Sequence, residues 1–498
     1  MVRSHRLVAG LLALALSAPA IAQHEHVDSS AGPVVAGPGQ ASAQARGLYL
    51  LHNFEYGRAA AAFREAQAAD PGNVLAYWGE AMTYNHPLWA EQDAAAARAA
   101  LAKLAPSAQA RRAKARTPRE GQWLDAVEAL YGDGSKVERD AAYHRRMATL
   151  FEADPADIDA RTFYALSTLG LAHGGRDIAL YMKGAALLEE VFPQYPDHPG
   201  VLHYLIHSYD DPAHAALGVR AARRYAAVAP DAGHAQHMIS HIFLALGDWP
   251  AVERANVQAD GVVAAQRAAE GRPASSCGHY SAWLVYSLLQ QGKDAMPLVD
   301  RCRAQAVAEA TGEADGVLGV RRSASRSWSD MASWVGVETG RWPQPIAWPA
   351  GRYQLAQFNL GYARLLAARR DPKAMAAALT TMRAARDRIV AALPSEMPDE
   401  EAVPRWLERA IAQGDALAVL AAGDRVRGLA LLKAAADAEA ALPVEFGPPA
   451  LAKPGIELYA DELLAAGRRA EAAAAYRTAL AAMPGRRLSQ TGLAAATR

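Results

Sequence analysis

Two cysteines, Cys277 and Cys302, are all that this chain of 498 residues contains. An oxidising compartment would permit one bridge between them, and their unequal distances from a turn near Gly292 leave the pairing open. Net charge is missing as well: 52 Lys plus Arg balance 52 Asp plus Glu. A neutral chain has no electrostatic footprint for nucleic acid or an anionic membrane. Runs of β-branched residues are scarce and Ala-rich stretches abound, which favours helix. Beyond the N-terminus no apolar run is long enough to cross a bilayer, so no stable membrane insertion is expected. Catalytic signatures are absent too. His203-Tyr204-x-x-His207 lacks the Glu after the first His that a zincin needs. There is no G-x-S-x-G, P-loop or Rossmann glycine pattern, and Cys277 with His279 is not a recognisable nucleophile pair. The sequence therefore points to binding rather than to a reaction, and it assigns no catalytic residue.

The N-terminus has the parts of a secretory signal. Arg3 and Arg6 precede the short apolar run Leu7 to Leu16, and Ala20-Ile21-Ala22 offers a cleavage site. Cleavage after Ala22 removes two positive charges and leaves a net charge of −2. The expected location is the periplasm or outside the cell. Residues 23–39 are rich in Gly, Pro and Ser and read as a disordered linker.

From about residue 40 a helical repeat is legible. Ala59, Phe63, Ala66 and Pro71 have the spacing of the second helix of a tetratricopeptide (TPR) unit, and Ala472, Tyr476, Ala479 and Pro484 repeat it. Small Ala residues let two helices approach, the aromatic fills the gap, and Pro ends the second helix. Pro196 and Pro230 are 34 residues apart, one TPR length. The expected fold is all-α: a TPR-type helical-hairpin solenoid, a right-handed superhelix with irregular insertions. The expected divisions are an N-terminal solenoid at 40–310, a Trp- and Pro-rich connector at 311–350, and C-terminal repeats at 351–498. The basic stretch Arg111, Arg112, Lys114, Arg116 and Arg119 reads as a solvated insertion.

The 15 histidines are placed unevenly. His203 and His207 hold the fifth and ninth positions of one unit, and His237 and His241 hold the same positions of the next. Residues four apart share a helix face, and His234 falls on the stripe of His237 and His241. First helices of adjacent repeats stack, so the stripes should be neighbours. His52 and His86, also 34 apart, were expected late in the first helices of the first two units. His279 and Trp283 begin a later one, and Trp78, Trp89 and Tyr204 add aromatic surface. Imidazoles converging from two helices suit Zn²⁺ or Cu²⁺. The candidate ligands are His203, His207, His237 and His241, with Asp210 or Asp211 to complete the set or to orient a ring. Read without a metal, the same residues line a polar groove, with His52, Trp78, His86, Tyr204, Asp210, His234, His279 and Trp283 as contact residues.

Several segments resemble a group of bacterial secreted TPR-repeat proteins. They are His52-Asn53-Phe54-Glu55-Tyr56, Ala76-Tyr77-Trp78-Gly79-Glu80-Ala81-Met82, His86-Pro87-Leu88-Trp89, His198-Pro199-Gly200 and Ser240-His241-Ile242-Phe243. The likeness is dense over about 47–300. It implies a TPR fold, export, and groove-facing first-helix positions, but no particular activity. Ile239 stands where that group usually has Pro, and a His-Pro pair common in it near 441–448 is missing here.

Two functions follow. The first is an exported TPR binding or scaffold protein that recognises a peptide, a protein partner or a small ligand in a His- and aromatic-lined groove. The alternative is a periplasmic Zn- or Cu-binding protein or metal-dependent hydrolase, with Asp210 or Glu80 as acid or base.

Overall fold

The computed structural model describes residues 42–498 apart from 90, 276, 312–316, 319–322, 370 and 397–401. The signal segment and linker expected at 1–39 lie outside the described residues. Within them the chain is all-α. The first half runs α1 (Ala43–His52), α2 (Tyr56–Ala69), α3 (Val74–Met82), α4 (Ala94–Leu104), α5 (Ala108–Arg112), α6 (Pro118–Leu130), α7 (Lys136–Ala153), α8 (Ile158–Leu169), α9 (Ile178–Glu189), α10 (Pro199–Ser208), α11 (Ala215–Val228) and α12 (Gly233–Leu246). The second half runs α13 (Trp249–Ala269), α14 (His279–Gln290), α15 (Met296–Ala310), α16 (Ala324–Thr339), α17 (Gln354–Ala367), α18 (Pro372–Glu396), α19 (Val403–Ala421), α20 (Arg425–Ala440), α21 (Gly455–Ala465), α22 (Arg469–Ala482) and α23 (Arg487–Thr497). Two short strands, β1 (Asn85–His86) and β2 (Glu91–Gln92), make a small antiparallel clip after α3.

Local chemistry starts and stops these helices. Ser42, Asp93, Thr117, Asp157, Asp177 and Asp248 each cap an N-terminus through a side-chain oxygen, and Ser135 with Glu138 forms a reciprocal capping box. Each such cap contributes about 1 kcal/mol. Successive helices pack as hairpins, and alternate ones stack side by side (α8 on α10, α10 on α12, α14 on α16), which is how a solenoid buries its core.

The core changes hands at Gly247. One apolar core runs from Leu48 to Ala245 and a second from Trp249 to Leu458, with Phe243 packed against both. The connector read at 311–350 is not empty of helix. That span contains α16, which packs on α14 and α15 and buries Trp328 completely.

The superhelix closes on itself at both ends. Tyr49 donates to Asp231 at 2.9 Å, and Asn53 accepts from Tyr225 at 2.7 Å, so α1 packs on α10 while its C-terminal end is tied to α11 and to the turn after it. At the other end Trp249 Nε1 donates to Gly485 O at 2.9 Å. Gly247, at φ 74, lies so close that a Cβ there would sit 2.5 Å from Pro484 O; only glycine fits both the left-handed turn and the approach.

The basic stretch is not simply solvated. Arg111 pairs with Glu128, Arg112 with Asp125, Arg116 with Asp70 and Arg119 with Asp157. The first two join α5 to α6, and the last two tie the start of α6 and the turn before it to the end of α2 and the start of α8, which helix periodicity alone could not reveal.

Candidate metal centre

α10 begins at His198, whose Nδ1 accepts from Val201 N, with Pro199 in the first turn. That start sets His203 and His207 one turn apart. α12 begins at Gly233 and carries His234, His237 and His241 at helical spacing. Because α10 and α12 stack, the two stripes meet. α14 then brings in His279 at its first residue.

These six rings form two separate triads: His237, His241 and His279, and His203, His207 and His234. In each, one nitrogen per ring lies within 4.8 Å of the others. The sequence grouped His203, His207, His237 and His241 as one ligand set. The structure divides that set between two triads and completes them with His234 and His279, which had been placed among the groove residues.

The first triad is the better defined. His241 Nδ1 is 2.5 Å from Asp210 Oδ2, and His237 Nδ1 is 2.7 Å from Asn256 Oδ1. Asn256 Nδ2 donates to Val252 O, which fixes its oxygen toward the ring. A carboxylate and an amide oxygen can only accept, so both Nδ1 atoms carry the proton, and in neutral rings both Nε2 atoms carry a lone pair. Those two Nε2 atoms are 3.0 Å apart, and His279 Nε2 is 3.0 Å from that of His237. Two lone pairs cannot hydrogen-bond to each other. The edge of a tetrahedral three-nitrogen site around a late metal is about 3.3 Å, close to what is found. Disulfide-bonded Cys277, with Cα atoms of the pair 4.5 Å apart, ties the start of α14 to α15 beside His279. The pairing that the sequence left open is thus formed.

In the second triad His203 Nδ1 is 2.6 Å from His52 O, which makes it a donor and turns its Nε2 lone pair toward His234 Nε2 at 3.2 Å. His207 Nε2 is buried without a hydrogen-bond partner. Arg176 holds the end of α10 by donating to His207 O and Ser208 O. Phe54 touches all three rings, with centroids 4.3 Å from His203, 5.5 Å from His234 and 5.9 Å from His207. Its φ of 54 is uncommon for a non-glycine residue; such strain tends to persist where surrounding structure imposes it.

His203 and His237 are fully buried, and His207 and His241 are only 2% exposed. Burial disfavours the charged form of His203, His207, His234 and His237. His203 is pushed down to about 3, and His207, His234 and His237 lie well below the ordinary imidazole range, with neighbouring rings adding to the effect. Neutral imidazole is the form that binds metals. A cover comes from the second half: Phe446 lies 6.4 Å from His207 and 5.8 Å from His241, one ring of each triad.

A third group, His52, Asp159 and His198, meets the same proximity test but carries its own anion, the Asp159 carboxylate, between the two rings. His198 Nδ1 accepts a backbone N–H and His52 Nδ1 faces Tyr204 OH at 3.0 Å; His52 Nε2 bonds to Asp159 Oδ1 at 3.3 Å, and His198 Nε2 lies 3.4 Å from the same oxygen without a directed hydrogen bond. Burial raises the Asp159 carboxyl, but the facing rings of His198 and His52 outweigh this and hold it far below the usual range. Gly200 leaves room for this arrangement, since a Cβ there would meet His52 Nδ1 at 2.5 Å.

Other sequence candidates fall elsewhere. Trp78 is core, packed edge-on to Trp123 and Phe163. Tyr204 is wholly buried and His52 ends α1 inside the third group. His86 is not late in a helix: it lies in β1, bonded to Glu91 and stacked on Tyr56. Glu80 is buried and taken up by Lys103, Gln67 and Arg64, which outweigh desolvation and lower its pKa, so it is no free acid or base. Trp283 packs against His237 and His241 at 4.6 and 4.4 Å. Asp210 orients a ring, while Asp211 serves Arg176 and His214 instead. The open, His-lined groove expected from the sequence is filled by packed rings. Asn256, Asp159, His198 and Phe446 carry roles that no local spacing signalled.

No family model matches the chain. No curated protein matches it either. Among solved structures 22 chains match. One belongs to the structure of Naa15/Naa10 bound to HypK-THB, at 11% identity and a TM-score of 0.21, covering 91% of this chain and 65% of that one. This chain thus spans just under two thirds of that protein's length, and so loose a superposition carries no functional argument.

Proposed function

We propose that this protein binds a late first-row transition metal, with zinc and copper foremost, through His237, His241 and His279 inside a helical-repeat scaffold. One observation carries the reading: the Nε2 lone pairs of His237 and His241 face each other at 3.0 Å, because Asn256 and Asp210 hold the opposite nitrogens as donors. A shared metal ion satisfies that geometry, and burial of His237 opposes a proton in that role. Nitrogen-only ligation suits zinc, copper, nickel or cobalt rather than calcium or magnesium. Three ligands leave a fourth position open, and the exposed ring, His279, marks the side on which it meets solvent. The export signal read at residues 1–22 assigns the protein to the periplasm or the exterior.

The test is elemental analysis of protein purified without a histidine tag, before and after incubation with zinc and copper. Bound metal, lost in a His237→Ala, His241→Ala variant, is the expected result. A protein that takes up neither ion, with an unchanged melting temperature, overturns the proposal.

A further inference from the structure

The second triad has the same chemistry as the first. His203 presents an Nε2 lone pair fixed by its Nδ1 contact with His52 O, His207 Nε2 has no partner, and His234 Nε2 closes the group at 3.2 Å from that of His203. A buried nitrogen left without a partner is costly, and native proteins rarely keep one without cause. The triads also adjoin. His207 and His241 have ring centroids 5.9 Å apart, and His234 and His237 are 6.3 Å apart.

We infer that the protein holds two metal ions, one in each triad, as a dinuclear all-imidazole centre; this rests on the reading of the first triad as a metal site. With metal–nitrogen bonds of about 2 Å, ions seated on His207 and His241 lie within roughly 12 Å of each other. The two rings that reach solvent or approach it, His279 and His234, mark the side of entry. No carboxylate joins either triad among the described residues, so the pair is set apart from carboxylate-bridged centres by a softer, more positive ligand field that suits copper.

The probe is copper itself, titrated into chelator-stripped full-length protein, with bound metal counted and the Cu²⁺ electron paramagnetic resonance signal integrated. Two ions per chain are expected, with spectra broadened by a neighbouring spin. His207→Gln should bind one ion with a narrow, isolated signal, and His241→Gln should likewise leave one. Should His207→Gln not fold, His234→Ala, at a ring nearer the surface, replaces it with the same expected stoichiometry. One ion in the native protein, removed equally by a substitution in either triad, overturns the dinuclear centre while leaving a metal-binding protein. No ion at all overturns both.

Discussion

Two buried polar clusters lie in the two halves of the molecule, and they are built in opposite ways. Around Arg486 every charge has an answer. Arg486 and Glu457 are fully buried and paired at 2.7 and 2.8 Å, Tyr286 OH accepts from Arg486 at 2.7 Å, and Lys453 bridges Glu457 and Asp461. In the histidine cluster between α10, α12 and α14, His203, His207, His237 and His241 are nearly as deeply buried, yet Nε2 of His237 faces Nε2 of His241 and His207 Nε2 has no hydrogen-bond partner. Burial alone does not mark a functional site. What sets the histidine cluster apart is that several unanswered nitrogens converge on rings whose other nitrogens are held in place.

The largest effect should come from breaking the complete cluster. Arg486→Leu strands Glu457 without its main partner and should lower folding stability by about 3–5 kcal/mol, read by denaturant unfolding, while leaving metal uptake by correctly folded protein unchanged. A loss of metal binding in that folded fraction would mean that the clusters are not independent. Next is the histidine cluster. Saturating zinc or copper at about a hundred times its dissociation constant should stabilise the native state by about 2.7 kcal/mol, and His237→Ala, His241→Ala should abolish that shift in thermal melts.

A smaller change tests the orienting residue. Asp210→Asn should weaken metal affinity about 10- to 100-fold in a competition titration; an unchanged affinity would show that His241 needs no anchor. Asp159→Asn, in the His52–His198 group, should leave affinity untouched and destabilise the fold. Acid provides the mildest probe. Burial raises the Glu457 carboxyl, but Arg486 and Lys453 outweigh it and bring it to about 2 from an ordinary 4.5. A depressed acid contributes stability above its unfolded value and loses it as pH falls through the folded one. Stability from this cluster should therefore persist above pH 4.5 and decline toward pH 2, a slope that Glu457→Gln should flatten.

Much of the fold was legible because its causes are local. Helix periodicity and the Ala-aromatic-Pro spacing of α2 and α22 lie within a few turns of one helix. Placing His203 with His207 and His237 with His241 needed only the pitch of a helix. The division of those four rings, the recruitment of His279 and the fixing of tautomers by Asn256 and Asp210 were not legible. They depend on residues 19 to 42 positions away, and on how far one hairpin turns on the next. The docking of Phe446 over both triads depends on the path of the whole superhelix.

The sequence by itself determined that the chain is helical, where its hairpins turn and that imidazoles share helix faces, because a helix repeats every 3.6 residues whatever surrounds it. Only the tertiary structure decided which imidazoles meet, which nitrogen each one offers and which histidines are already satisfied. Those outcomes follow from hydrogen bonds between distant helices, and a hydrogen bond is won or lost over a fraction of an ångström that no spacing along the chain records.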